Sequence, residues 1–222
     1  MNEIELFKEF LGKLKEQSNS NQEFYNELQK VVEKFDNKGI CEKVILEKYL
    51  NTRAVYSFMN NNVFNGLNPF DVVNGIMYNE KENTFELYPF KVLSANETRI
   101  ELLGLKLLDY CDWETAKKKS WVFIFQDIYG DYVKATTEDG YFAVNGRIPN
   151  KDRLMKIVKN YSGRSFYDGY EYDIIAIGDC YWTDTQYNDS GSDAWRVRSS
   201  GDVYYYSTSI SYGALPYVVI GK

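Results

Sequence analysis

The chain of 222 residues contains no histidine. That removes the commonest general base and the commonest metal ligand. Ser-His-Asp and Cys-His catalysis and His-bearing zinc sites are therefore excluded. Cysteine is scarce. Cys41, Cys111 and Cys180 are odd in number, far apart and without a C-x-x-C pair. This argues against a disulfide framework and for a reducing compartment. No apolar run approaches membrane-spanning length. The start, Met1-Asn-Glu-Ile-Glu5, lacks the basic and apolar regions of a secretory signal. There is no phosphate loop, no G-x-S-x-G and no dinucleotide fingerprint. The expectation is a cytoplasmic or virion-associated, non-catalytic protein with no cofactor, no metal and no membrane contact.

What the chain does have is acid and aromatics. The formal charge of −6 opposes nonspecific binding to nucleic acid or anionic lipid. The acid is concentrated: residues 166–222 carry seven Asp and one Glu against Arg196, Arg198 and Lys222. That region reads either as a solvated surface or as an acidic face that meets a basic, nucleic-acid-binding protein. The chain also holds 20 Tyr and 13 Phe.

The apolar pattern changes along the chain. Up to about Asn62 it has a helical period: Ile4, Phe7, Leu11 and Leu14, then Phe24, Leu28, Val31 and Phe35. Ser20 with Glu23 forms a capping box. Val44, Ile45, Tyr49 and Leu50 suggest a third helix, and Val55, Phe58 and Met59 a fourth. Residues 1–62 are thus expected to form a helical subdomain, packed on the rest of the chain or available for self-association. After a turn-rich junction at Asn68-Pro69 the period becomes that of strands. Residues 90–93 and 99–103 read as a hairpin. Trp121-Val-Phe-Ile-Phe125 reads as a strand buried on both faces, and Ile174-Ile-Ala-Ile177 as another. Asp112 and Asn150 are placed to cap short helices. Residues 199–202, Ser-Ser-Gly-Asp, supply a hairpin turn.

Five motifs occur in a fixed order: Trp113 with Ala116, Arg147 through Leu154, Tyr181 through Tyr187, Ala194 through Val197, and Leu215 through Val218. Their order and spacing resemble a bacterial and phage group of lectin-like domains, related to the formylglycine-generating enzymes. Gly146, Asp184-Thr185 and Leu215 depart from that group's usual residues. The resemblance implies an α+β protein in which 63–222 forms a C-type-lectin-like domain with small twisted antiparallel sheets. It also implies a phage or mobile-element origin.

Two groups of residues are candidates for function. Asp184, Asn188, Asp189 and Asp193 line one loop, which reads as a solvated surface or a Ca²⁺ site. Tyr204, Tyr205, Tyr206 and Tyr212 lie in a Tyr/Ser-rich run, which reads as a binding surface or as strand alternation. Asp184, Tyr187, Asp189, Asp193, Tyr204, Tyr206 and Tyr212 are the expected partner-binding residues. The expected role is recognition of a protein, for instance inhibition of a host nucleic-acid-targeting defence enzyme. The rival roles are a tail, baseplate or decoration component of a phage, and a diverged formylglycine-type oxidase using Cys111 or Cys180.

Overall fold

A computed structural model of the chain describes residues 42–52, 66–79, 82–127, 137, 140–162, 173–189 and 191–221. Eleven strands and three short helices make up these residues. Helix α1 is Glu42–Thr52, and strands β1 (Val72–Asn79), β2 (Thr84–Asn96), β3 (Arg99–Gly104) and β4 (Asp109–Cys111) follow. Next come helix α2 (Trp113–Lys118), β5 (Trp121–Gln126), β6 (Tyr141–Gly146) and helix α3 (Lys151–Ser162). The chain closes with β7 (Tyr181–Gln186), β8 (Asp193–Val197), β9 (Val203–Ser207), β10 (Tyr212–Ala214) and β11 (Tyr217–Gly221).

The expected α+β class, a helical subdomain followed by a C-type-lectin-like domain with small twisted antiparallel sheets, is overturned. The protein is mostly β, and its main element is a six-stranded sheet in the order β11-β3-β2-β1-β5-β6. Every pairing in that sheet is antiparallel. The sheet nearly closes on itself. Just beyond β6, Arg147 N donates to Tyr217 O at 3.1 Å and Tyr217 N returns a bond to Arg147 O at 2.7 Å. Closure satisfies edge groups that an open sheet would expose.

No helical N-terminal subdomain appears among the described residues. Of the expected N-terminal helices only α1 is described. It lies on the outside of the curved sheet, where Ile45 and Tyr49 pack with Ile76, Phe85, Ile124 and Tyr141. The stripes at Ile4–Leu14 and Phe24–Phe35, and Val55 to Met59, fall outside the described residues.

Aromatics fill the interior of the six-stranded sheet. Tyr88, Phe90, Phe123, Phe125 and Phe142 pack there with Val92, Leu102 and Val218. The Phe90 and Phe123 rings meet edge to face, with centroids 4.8 Å apart. Glycine makes room for them. A Cβ on Gly75 would stand 2.9 Å from Phe125 Cζ, and one on Gly146 2.8 Å from Phe123 Cε2. Burial of each such ring contributes about 1.5–3 kcal/mol. Phe123, Ile124 and Phe125 are all buried, so β5 is covered on both faces, as its continuous apolar run predicts.

The second sheet has five strands in the order β4-β10-β7-β8-β9. Its β10–β7 pairing is parallel and the rest are antiparallel. One face packs on α3, whose Leu154, Ile157 and Val158 meet Tyr181, Val197 and Leu215. The other face packs on α2 through Trp113, Ala116, Trp182, Ala194 and Ala214. Both helices start where their caps predict: Thr115 N donates to Asp112 Oδ1 and Arg153 N to Asn150 Oδ1, each at 3.0 Å. Ile174 and Ile175 are fully buried but sit in a turn, not a strand. They fill the space beside α3, so burial rather than pairing accounts for their apolar character.

Candidate functional site

The alternation of β8 and β9 sorts the candidate side chains onto two faces. Arg196 pairs with Tyr204 and Ala194 with Tyr206 across the β8–β9 ladder. On the other side of β8, Trp182 pairs with Arg196. These residues share the face that α2 partly covers. Asp193, Trp195 and Tyr205 alternate with them and belong to the α3 face.

On the α2 face the tyrosines surround a cation. The Arg196 guanidinium carbon lies 4.0 Å from the Tyr212 ring centroid and 4.9 Å from that of Tyr206. The two rings meet edge to face at 5.6 Å, and Trp182 meets Tyr212 at 5.1 Å. Nearer the turn, Arg198 lies 4.5 Å over Tyr204. Gly201, with φ of 92°, lets that turn close, and Arg198 N donates to Asp202 O at 2.8 Å. Trp182 is fully buried, and its indole N–H donates to Cys111 O at 3.0 Å. Burial pushes the Tyr212 phenol above its ordinary pKa, although Arg196 beside it pulls the other way.

On the α3 face, Tyr187 stacks on Tyr205 at 3.7 Å and meets Trp195 edge to face at 5.1 Å. Lys151, from the first turn of α3, sits 4.7 Å over the Trp195 ring. Trp195 is half-buried, covered by these neighbours rather than by a sealed core.

The predicted site residues therefore separate. Tyr204, Tyr206 and Tyr212 gather around Arg196 and Arg198. Tyr187 belongs to the Trp195 cluster. Asp184 is a bracket for α3: its carboxylate accepts from Asn150 Nδ2 at 2.9 Å and its N–H donates to Pro149 O. Asp193 closes the β7–β8 loop, where its carbonyl accepts from Tyr187 N at 3.0 Å. Asp189 is exposed on that loop. Among the described residues no group of three or more carboxylates and thiols converges on a common point. Arg196 and Trp195 escape a reading of charge and tyrosine count alone. The period of two along Ala194-Trp-Arg-Val197, set against Tyr204-Tyr-Tyr206, carries the signal that places Arg196 among the tyrosines.

Cys111 and Cys180 are free thiols. Cys111 is the cross-strand partner of Tyr212, and Cys180 O accepts from Gly213 N at 3.1 Å on the opposite side of β10. One strand stands between them, so their backbones are about two strand spacings, or ~10 Å, apart. A disulfide needs less than about 7 Å. Burial, then Asp109 nearby, pushes the Cys111 thiol up and keeps it protonated.

No described helix is long and apolar enough to cross a membrane. No family model matches the chain, and no curated protein or solved structure matches it either.

Proposed function

We propose that the chain is a non-catalytic recognition protein that binds a protein partner through the β9 edge of its five-stranded sheet. The observation that carries this reading is the aromatic edge itself. Tyr204 and Tyr206 are each 43% exposed on the terminal strand of a sheet, and Tyr187 is 39% exposed nearby. Their rings are held in place by stacking and by arginine. Prearranged tyrosines supply contact area at low entropic cost. The acidic 184–193 loop borders this edge and would steer a partner of opposite charge.

The ordered motifs that resemble those of phage lectin-like domains support a phage or mobile-element source. An inhibitor of a host nucleic-acid-targeting defence enzyme is the form of recognition that the acidic balance favours. A virion component is the rival reading. The formylglycine-type oxidase reading gains nothing from two thiols held on opposite sides of a strand.

The test is affinity capture from host lysate with the intact chain and with a Tyr204→Ala/Tyr206→Ala variant. Circular dichroism confirms that both are folded. A partner retained by the wild type and lost by the variant supports the reading. Equal retention places the interface elsewhere on the chain.

A further inference from the structure

Arg196 is only 8% exposed, and its Nε is buried with no hydrogen-bond partner. Burying a guanidinium without an anion is unfavourable, because its desolvation is not offset by an ion pair. The rings of Tyr206 and Tyr212 recover part of that loss by cation–π attraction. The N–H donors of a guanidinium lie in its plane, and cation–π attraction does not supply the oxygen acceptor that the buried Nε–H lacks.

The cross-strand neighbours on this face do not supply the missing anion. Trp182 on β7 and Tyr204 on β9 flank Arg196 in register, and neither carries charge. The Tyr212 phenol and the Cys111 thiol are held in their neutral forms by burial. Glu101, Asp109, Glu114 and Asp152 pair with other cations, on Arg99, Lys119, Lys117 and Lys151. Arg196 is thus a boxed cation with unpaired donors, beside a tyrosine that is 43% exposed.

We propose that Arg196, walled by Tyr206 and Tyr212, is a receptor for a single carboxylate presented by an acidic side chain of the protein partner. The proposal rests on the recognition reading above and names the chemistry its partner brings to this edge. A carboxylate is planar and matches the guanidinium fork through two parallel N–H···O bonds. A singly charged group suits a chain of net charge −6 better than a polyanion does. The aromatic neighbours hold the guanidinium in place, so little freedom is lost when the carboxylate arrives.

The test uses the intact protein, with the Arg Nε–Hε resonances followed by NMR during titration with sodium acetate. Sodium chloride at matched ionic strength is the control, and inorganic phosphate is a second probe. Exposed Arg198, two residues away on the same surface, serves as the internal reference. Arg196 is expected to respond saturably, at roughly one tenth of the acetate concentration that moves Arg198, because its side chain is largely buried and has no protein acceptor. Tyr206→Leu, at an exposed edge position, should weaken the Arg196 response several-fold and leave that of Arg198 unchanged. Equal responses of Arg196 and Arg198 would overturn the receptor. A stronger response to phosphate than to acetate would overturn the carboxylate assignment. An unchanged response in Tyr206→Leu would overturn the aromatic box. If Arg196 ignores acetate while Tyr204→Ala/Tyr206→Ala still abolishes partner capture, this inference falls and the recognition reading stands.

Discussion

Arg153 Nε donates to Glu101 Oε2 at 2.8 Å, which ties helix α3 to the middle of strand β3. Glu101 is fully buried. Its other oxygen pairs with Arg99 Nε at 3.1 Å, and the Tyr217 hydroxyl on β11 donates to the carboxylate as well. One carboxylate therefore joins β3, β11 and α3 on the outer side of the six-stranded sheet. Glu101→Gln is expected to destabilise the protein by about 1–3 kcal/mol, because buried donors lose a charged acceptor. Urea unfolding measures the loss. A cycle with Arg153→Gln should show coupling of at least about 0.5 kcal/mol, since the two side chains touch. Additive losses would show that the contact is incidental.

The two tryptophans of the five-stranded sheet should differ. Trp182 is fully buried and hydrogen-bonded, whereas Trp195 is half-buried under Tyr187 and Tyr205. Trp182→Ala is expected to cost about 3–5 kcal/mol. Trp195→Ala should cost clearly less, because its neighbours can close over the gap. Chemical denaturation of the two variants makes the comparison, and equal losses would contradict the assigned burial.

Alkaline titration should separate the tyrosines. Burial raises the phenols of Tyr88, Tyr181, Tyr212 and Tyr217 above their ordinary value. A group whose folded pKa is raised stabilises the fold below its unfolded pKa, and that contribution is lost as pH rises toward the folded value. Phenolate absorbance should therefore be incomplete at the ordinary tyrosine pKa. The buried rings should follow only at higher pH, together with loss of β-sheet signal. A single step accounting for all 20 Tyr, with the fold intact, would contradict this.

The cap of α2 gives a prediction of opposite sign. The Thr115 hydroxyl and the Thr115 N–H donate to the Asp112 carboxylate and hold its pKa below the ordinary value. Such a group stabilises the fold above its unfolded pKa and ceases to do so as pH falls through the folded one. Asp112→Ala should lower the melting temperature at neutral pH. The gap from wild type should narrow as pH falls below the usual aspartate range. A gap independent of pH would mean that the carboxylate charge plays no part.

Local features of the fold were legible in the residues themselves. Asp112 and Asn150 cap helices because a short oxygen-bearing side chain meets free N–H groups wherever a helix begins. The turn at residues 199–202 closes because Gly201 accepts positive φ. The hairpin of β2 and β3 and the double burial of β5 arise from alternation and from continuous apolar sequence. The candidate site was half legible: Tyr204, Tyr206 and Tyr212 do share one face, but Arg196 at its centre is visible only through the strand register. Counting charge over residues 166–222 pointed to acid, whereas the tyrosines gather around arginine.

What the sequence determined by itself is short-range: caps, turns, the period of each strand and the side on which each residue stands. These rest on bonds and sterics between residues a few positions apart. What only the tertiary structure decided is adjacency. Arg147 meets Tyr217 to close the six-stranded sheet, Lys151 covers Trp195, and Tyr212 comes back beside Arg196 from another strand. Ile174 and Ile175, apolar enough for a strand, became filling beside α3. The physical reason is that hydrophobic burial is non-directional. It specifies that these side chains leave water, and only the packing of the whole chain selects which neighbours they meet.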